Sequence, residues 1–331
     1  MAAPAAAAGG FPGGGLPVRA GGQGPRDGPA GGRAGSRGRV RGVERAGVGL
    51  EAALRARREV GGKAFVPYVT GGAPGVDAGL LRALEAVGAD ALEVGIPFSD
   101  PVMDGPVIQE ASRRALAAGT TPSRVLALVA EAGLGIPVVA MTYLNPVLQR
   151  GLGPFLAEAR GAGVSGVIVP DLPVDEAGEW IAACAEAEVA PVFLAAPGSP
   201  PERLRRVAAA SRGFVYCVST YGVTGARDEL AGTAEEVVRA LRPLTDLPLL
   251  VGVGITTPAQ AAGACGFADG VVVGSALVRP LLEGDEEGAV HLAAAFRGAV
   301  PVGNPQPEDA RGPEARAGPT GASKPARLSD T

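Results

Sequence analysis

The chain has 331 residues, 47% of them hydrophobic, enough for one large domain or two ordinary ones with a sizeable core. Its net charge of −4 is uneven: residues 1–48 set seven arginines against Asp27 and Glu44, residues 302–331 balance to zero, and the middle, 49–301, is acidic, which argues against nucleic acid as the main partner. No apolar run is long enough for a membrane span and MAAPAAAAGG is a poor signal peptide, so a cytoplasmic protein without a membrane partner is expected.

Residues 1–48 consist mainly of Gly, Ala, Pro and Arg and cannot bury enough apolar surface to offset their ordering entropy; they are expected to form a disordered arm. A helix is predicted over 49–59, then strand 64–69 (AFVPYV) and helix 76–87. Strand 90–94 (DALEV) leads to helices 107–118 and 122–132, and strand 136–141 (IPVVAM) to helix 154–162. Strands 166–169, 190–194 and 214–218 precede helices at 175–188, 200–210 and 233–242. Strand 248–252 precedes helix 257–264, strand 270–273 precedes helix 275–282, and helix 286–298 closes the domain. Residues 302–331 repeat the composition of the arm and are expected to be a disordered tail. Continuously apolar strands alternating with amphipathic helices imply a parallel sheet buried on both faces. Eight such units within 49–301 favour an α/β fold of the closed (β/α)8 type with an extra N-terminal helix, over an open doubly wound sheet. No G-x-G-x-x-G enters a helix, which weakens a dinucleotide reading.

In such barrels chemistry sits at the C-terminal ends of the strands. Glu93 is the one charge in an apolar strand end, where burial should raise its pKa toward that of a group able both to give and to take a proton. Asp104 follows in a loop pinned by Pro97, Pro101 and Pro106. Two carboxylates at one barrel mouth form an acid/base pair or, in the bland alternative, a structural ion pair and a loop cap. Strand 7 ends in Val251-Gly-Val-Gly254 and strand 8 in Gly274-Ser275, which opens a helix. Glycines there let backbone N–H groups approach an anion, so the two turns read as a phosphate site or as ordinary turns. After strand 6, Tyr216-Cys-Val-Ser-Thr-Tyr-Gly-Val-Thr224-Gly225 is long and glycine-punctuated, suited to a lid that adds Gly225 to the phosphate cradle.

Absences narrow the chemistry. The only lysines are Lys63, at the wrong end of the barrel, and Lys324, in the tail, which disfavours a Schiff-base aldolase. His291 is the single histidine, on the closing helix, and Cys184, Cys217 and Cys265 are scattered. No metal set forms from them, and they read as buried residues of a reducing compartment.

EVGIPFSDPVMDGP (93–106), STYGVTGAR, GVGI and VVVGSAL, with PYVTGGAPGVD and VIVPDLPVDE, closely resemble the tryptophan synthase alpha subunits, in order over about 49–300. The resemblance implies a TIM barrel that cleaves indole-3-glycerol phosphate to indole and glyceraldehyde 3-phosphate in tryptophan biosynthesis. It implies Glu93 as acid/base, Asp104 on the indole N–H, Tyr216 in support, and Thr224, Gly225, Gly254, Gly274 and Ser275 around the phosphate. Phe65, Tyr143 and Ile168 would line the indole slot, with Thr224 tying the lid to the Asp104 loop. It further implies a pyridoxal-phosphate β subunit as partner in an α2β2 assembly, met by the loop bearing Pro97 and Asp100, and no cofactor or metal in this chain. Thr220 and Val253 depart from residues common among relatives and leave a stand-alone lyase open. A sugar-phosphate epimerase or isomerase, and a non-catalytic barrel that activates a β partner, are the competing functions.

Overall fold

The computed structural model describes residues 49–218, 227–252 and 254–304. The expected arm, the tail beyond 304, and Thr220, Thr224, Gly225 and Val253 lie outside them. Backbone contacts continue past the expected boundary at 301, since the Asn304 N–H donates to the Val60 carbonyl (3.0 Å).

The strands are β1 (Ala64–Thr70), β2 (Leu92–Gly95), β3 (Val138–Met141), β4 (Val164–Ile168), β5 (Ala190–Val192), β6 (Leu194–Ala195), β7 (Val215–Val218), β8 (Leu249–Gly252) and β9 (Gly270–Val273). They form one parallel sheet in the order β5-β4-β3-β2-β1-β9-β8-β7-β6, so its two ends are neighbours in the chain. β5 pairs with β4 and β6 with β7, and between them the Phe193 carbonyl accepts from the Tyr216 N–H (3.0 Å). β5 and β6 are therefore two pieces of one strand, and the sheet closes into the eight-fold barrel expected.

Around it stand α1 (Gly49–Glu59), α2 (Ala78–Ala86), α3 (Pro106–Ala117), α4 (Pro122–Ala132), α5 (Leu144–Arg150), α6 (Leu152–Gly161) and α7 (Gly178–Glu186). They are followed by α8 (Pro201–Ala210), α9 (Arg227–Leu241), α10 (Pro258–Ala264), α11 (Ser275–Leu282) and α12 (Glu286–Ala299). The helix expected over 175–188 divides into a 3-10 turn (Val174–Glu176) and α7. α5 is an addition to the expected helices: its first N–H, on Leu144, is satisfied by Asp171 from the next unit (2.9 Å), a contact that no local pattern reveals.

Strand alternation sorts the core into two layers. Ala64, Val66, Ala91, Val139, Ile168, Val192, Phe214, Leu250 and Val272 fill the barrel interior together with Leu50 and Leu54 of α1. The alternate residues, such as Phe65, Val69, Leu92 and Val94, pack outward under the helices. α1 thus plugs the N-terminal mouth. Glycine makes room for it, since a Cβ on Gly166 or Gly213 would lie 2.8 or 2.6 Å from Leu50 Cδ2. Consecutive arginines fasten the plug to two buried aspartates. Arg57 binds Asp90 (2.6 Å) and Arg58 approaches Asp269 (3.6 Å). Asp90 also takes Arg297 (2.8 Å) and the Phe65 N–H (2.9 Å), and Asp269 takes Arg242 (2.6 Å) and the Leu249 N–H (2.9 Å). These bonds satisfy carboxylates that would be costly to bury alone.

Candidate active site

The opposite, C-terminal mouth opens on a cavity of about 220 Å³ lined by Glu93, Asp104, Ile168, Tyr216, Gly254 and Ser275, with Tyr68 and several apolar side chains completing the wall. Six expected site residues therefore converge from β2, the loop before α3, β4, β7, the turn after β8, and the start of α11. The inward period of two places them there: Tyr68 and Glu93 stand side by side in register on β1 and β2.

Glu93 is 2% exposed and its Oε2 is buried without a hydrogen-bond partner. Desolvation, then the nearby Asp104 charge, push its pKa from 4.5 up to about 8. Asp104 is raised by burial to about 6, held back by a hydrogen bond from the Tyr143 hydroxyl. Near neutral pH Glu93 is thus a carboxylic acid and Asp104 mostly a carboxylate, two roles separated by environment alone. The Tyr143 hydroxyl also accepts the Met103 N–H (3.0 Å), and its ring stacks on Phe98 (5.2 Å), so this tyrosine braces the Asp104 loop. It does not line the cavity, where the sequence placed it.

Phe65 is likewise displaced. It lies on the outward face of β1 and stacks on Phe296 of α12 (6.4 Å), under the helices rather than in the slot. The aromatic that β1 sends inward is Tyr68, which the sequence reading missed, although its even spacing from Ala64 and Val66 marks it as an interior residue. Its hydroxyl meets Thr70 Oγ1 (3.2 Å), and burial followed by the Asp104 charge raises its pKa. Tyr68 and Tyr216 are seated alike. A Cβ on Gly95 would come within 2.7 Å of Tyr68 Cζ, and one on Gly252 within 2.7 Å of Tyr216 Cε1. Each ring lies across a glycine of the next strand.

Gly254 adopts φ +85°, open to glycine, and Gly274 caps α11. No side chain caps that helix end, unlike α2, α4, α10 and α12, which Asp77, Thr121, Thr257 and Asp285 cap. An uncapped helix N-terminus beside a cavity suits an anion. In the loop between β2 and α3 Asp100 is exposed and accepts from Ser99 Oγ (2.6 Å), whereas Pro97 is buried within the chain. Val102 of that loop is 77% exposed, the most exposed large hydrophobic side chain among the described residues. The three cysteines are free and buried, and Lys63 reaches the Ala268 carbonyl (2.6 Å) at the far end of the barrel. Among the described residues no His/Cys/Asp/Glu group could hold a metal, and no helix is long and apolar enough to cross a membrane.

Comparison with known proteins agrees with this arrangement. Residues 54–299 match the family model described as tryptophan synthase alpha chain. The tryptophan synthase alpha chain of Carboxydothermus hydrogenoformans is 47% identical over 226 residues, 67% of this chain and 85% of that one. The Gloeobacter violaceus alpha chain is 47% identical over 250 residues, 74% and 90%. A solved structure of Mycobacterium tuberculosis tryptophan synthase superposes with TM-score 0.71 at 41% identity, covering 77% of this chain and 98% of that one. With its barrel, its paired carboxylates and these relatives, the chain belongs to the tryptophan synthase alpha chain family.

Proposed function

We propose that this chain cleaves indole-3-glycerol phosphate to indole and glyceraldehyde 3-phosphate, with Glu93 and Asp104 as its catalytic pair. It is a lyase of tryptophan biosynthesis. The observation that carries the assignment of the pair is their shared cavity in unlike surroundings: Glu93 is buried with Oε2 unpartnered, and Asp104 faces the same space, its pKa raised less, to about 6 against about 8. Protonated Glu93 gives its proton to indole C3. Asp104 accepts a hydrogen bond from the indole N–H and stabilises the positive charge that develops there. The Glu93 carboxylate then takes the proton of the side-chain hydroxyl as the carbon–carbon bond breaks. The bonding pair returns to the indole ring and the hydroxyl carbon becomes the aldehyde. Glu93 ends protonated as it began, so this chemistry asks for neither a metal nor a Schiff base. Gly254, Gly274 and Ser275, with the uncapped start of α11, are read as the phosphate cradle, joined by Thr224 and Gly225. Ile168 and Tyr68 are read as walls of the indole slot, and Tyr216 as support for Glu93.

Pyridoxal phosphate belongs to the β subunit, not to this chain. Partnership with a β subunit goes with the family; we read the assembly as α2β2, in the cytoplasm, with the surface around Asp100 and Val102 facing the partner. Turnover of indole-3-glycerol phosphate by the purified chain, alone and with a β subunit, tests the reading. Weak activity that rises steeply with the β subunit is expected, and Glu93→Gln should abolish it. Retained turnover in that variant would remove Glu93 as the catalyst, and full activity alone would make the chain a stand-alone lyase.

A further inference from the structure

The N-terminal face of the barrel, opposite the active site, carries a second cavity, of about 560 Å³. It lies where the plug helix α1 meets α6, α7 and the start of β5. Its volume falls within the range of small-molecule sites. Leu50, Ile181, Val189 and Pro191 give it an apolar lining, while Arg160, Glu188 and Arg212 bring charge to it.

Three observations bear on what it would take. The first is charge. Of the five charged residues around it, Arg55 pairs with Glu51 (2.8 Å) and Arg160 with Glu188 (3.0 Å). Arg212 has no carboxylate within ion-pair distance among the described residues, and its Nη1 donates only to the Ala209 and Ser211 carbonyls (2.9 and 2.7 Å). One positive charge is therefore left over. The second is an incomplete guanidinium: Arg160 Nη1 is buried with no hydrogen-bond partner. A buried donor without an acceptor is costly and calls for a partner.

The third is backbone strain. Glu188 has φ +54°, the only non-glycine residue at positive φ among the described residues. It follows the C-cap of α7, and the bonds Val189 N–H to Cys184 O (3.0 Å) and Glu188 N–H to Ala185 O (3.3 Å) close that helix end. The equivalent position after α2, α3 and α6 is Gly88, Gly119 and Gly163, each at positive φ. Glycine fits this left-handed site without cost, so Glu188 holds a strained position there, and its exposed carboxylate pairs with Arg160 beside the cavity.

We propose that this cavity binds a small monocarboxylate with an apolar body, its carboxylate held between Arg160 and Arg212. The apolar lining takes the body, and the surplus positive charge of Arg212, with the Arg160 guanidinium beside the cavity, takes the head. Glu188 limits the affinity by competing for Arg160.

Trp180, the chain's single tryptophan, is buried in the core and does not line the cavity, so occupancy is read by isothermal titration calorimetry. The experiment titrates the full chain with octanoate at neutral pH, with octanamide as the uncharged control. A saturable change with Kd on the order of 0.1–1 mM is expected for octanoate, and none for octanamide. Arg212→Met, at an exposed position, should weaken octanoate about tenfold, as should Arg160→Met. Glu188→Gln should tighten it several-fold, a gain that a purely structural role for Glu188 would not produce. Cleavage activity in Arg212→Met should stay at the parent level. An equal response to octanamide, no response up to about 10 mM, or unchanged affinity in Arg212→Met would each overturn the proposal.

Discussion

At the scale of single residues, the site depends on two carboxylates kept in different protonation states. Asp104 must be ionised and Glu93 protonated, so kcat/KM should rise with a limb near pH 6 and fall with a limb near pH 8, following their raised pKa values. Asp104→Asn should lower kcat by about 10²–10³-fold while phosphate affinity is kept. Tyr143→Phe removes the hydrogen bond that holds the Asp104 pKa down, so its acid limb should move to higher pH with a smaller loss of rate. A limb that stays in place would show that Tyr143 only packs. Much of this was legible in the sequence, because a lone charge in an apolar strand end has few cheap explanations. Phe65 was misplaced because its position at a strand end says nothing of which face it takes. The residue that β1 turns inward is three positions further on, Tyr68, and only the period of two separates them. The Tyr143 link to Asp104 is not legible in the sequence, since it spans two units of the barrel.

At the scale of elements, the strand and helix sequence could be read from alternating apolar runs, and the closure of the sheet followed from their number. The interruption at Phe193 and the helix α5 could not be read, since both depend on pairing between units. The fastening of α1 was also hidden: Arg57 and Arg58 look like an ordinary basic last turn until Asp90 and Asp269 come up beneath them. Asp90→Ala would leave Arg297, 8% exposed, without its counter-charge, and should destabilise the barrel by about 3 kcal/mol in urea unfolding. Loss of less than about 1 kcal/mol would mean that the Val300 carbonyl, which also accepts from Arg297 (2.6 Å), suffices. At the end of α7, Glu188→Gly should do the reverse and stabilise by about 1 kcal/mol, because it releases a left-handed residue from strain.

At the scale of the whole molecule, the two ends of the barrel do different work. The N-terminal end is closed by α1 and holds its buried aspartates, Asp90 and Asp269, in ion pairs, whereas the C-terminal end leaves a buried carboxyl oxygen without a partner. That difference should be measurable as a pH dependence of folding. Glu93 has its ordinary pKa of 4.5 when unfolded and about 8 when folded, so between these values the native state holds more protons than the unfolded one. Stability therefore falls as pH rises through that window, the reverse of the usual paired carboxylate, and the penalty is complete above about pH 8. Asp104 adds to the fall only up to about 6, which leaves the upper part of the window to Glu93. Glu93→Gln cannot ionise, so its stability should exceed that of the parent by an amount that grows from pH 5 to pH 9, to on the order of 4 kcal/mol. Urea midpoints of the two proteins across that range provide the measurement, and parallel curves would show that Glu93 is not held protonated in the folded barrel. Divergence together with lost turnover would show that the same desolvation that makes Glu93 an acid at neutral pH is a load on the fold, borne by the rest of the barrel.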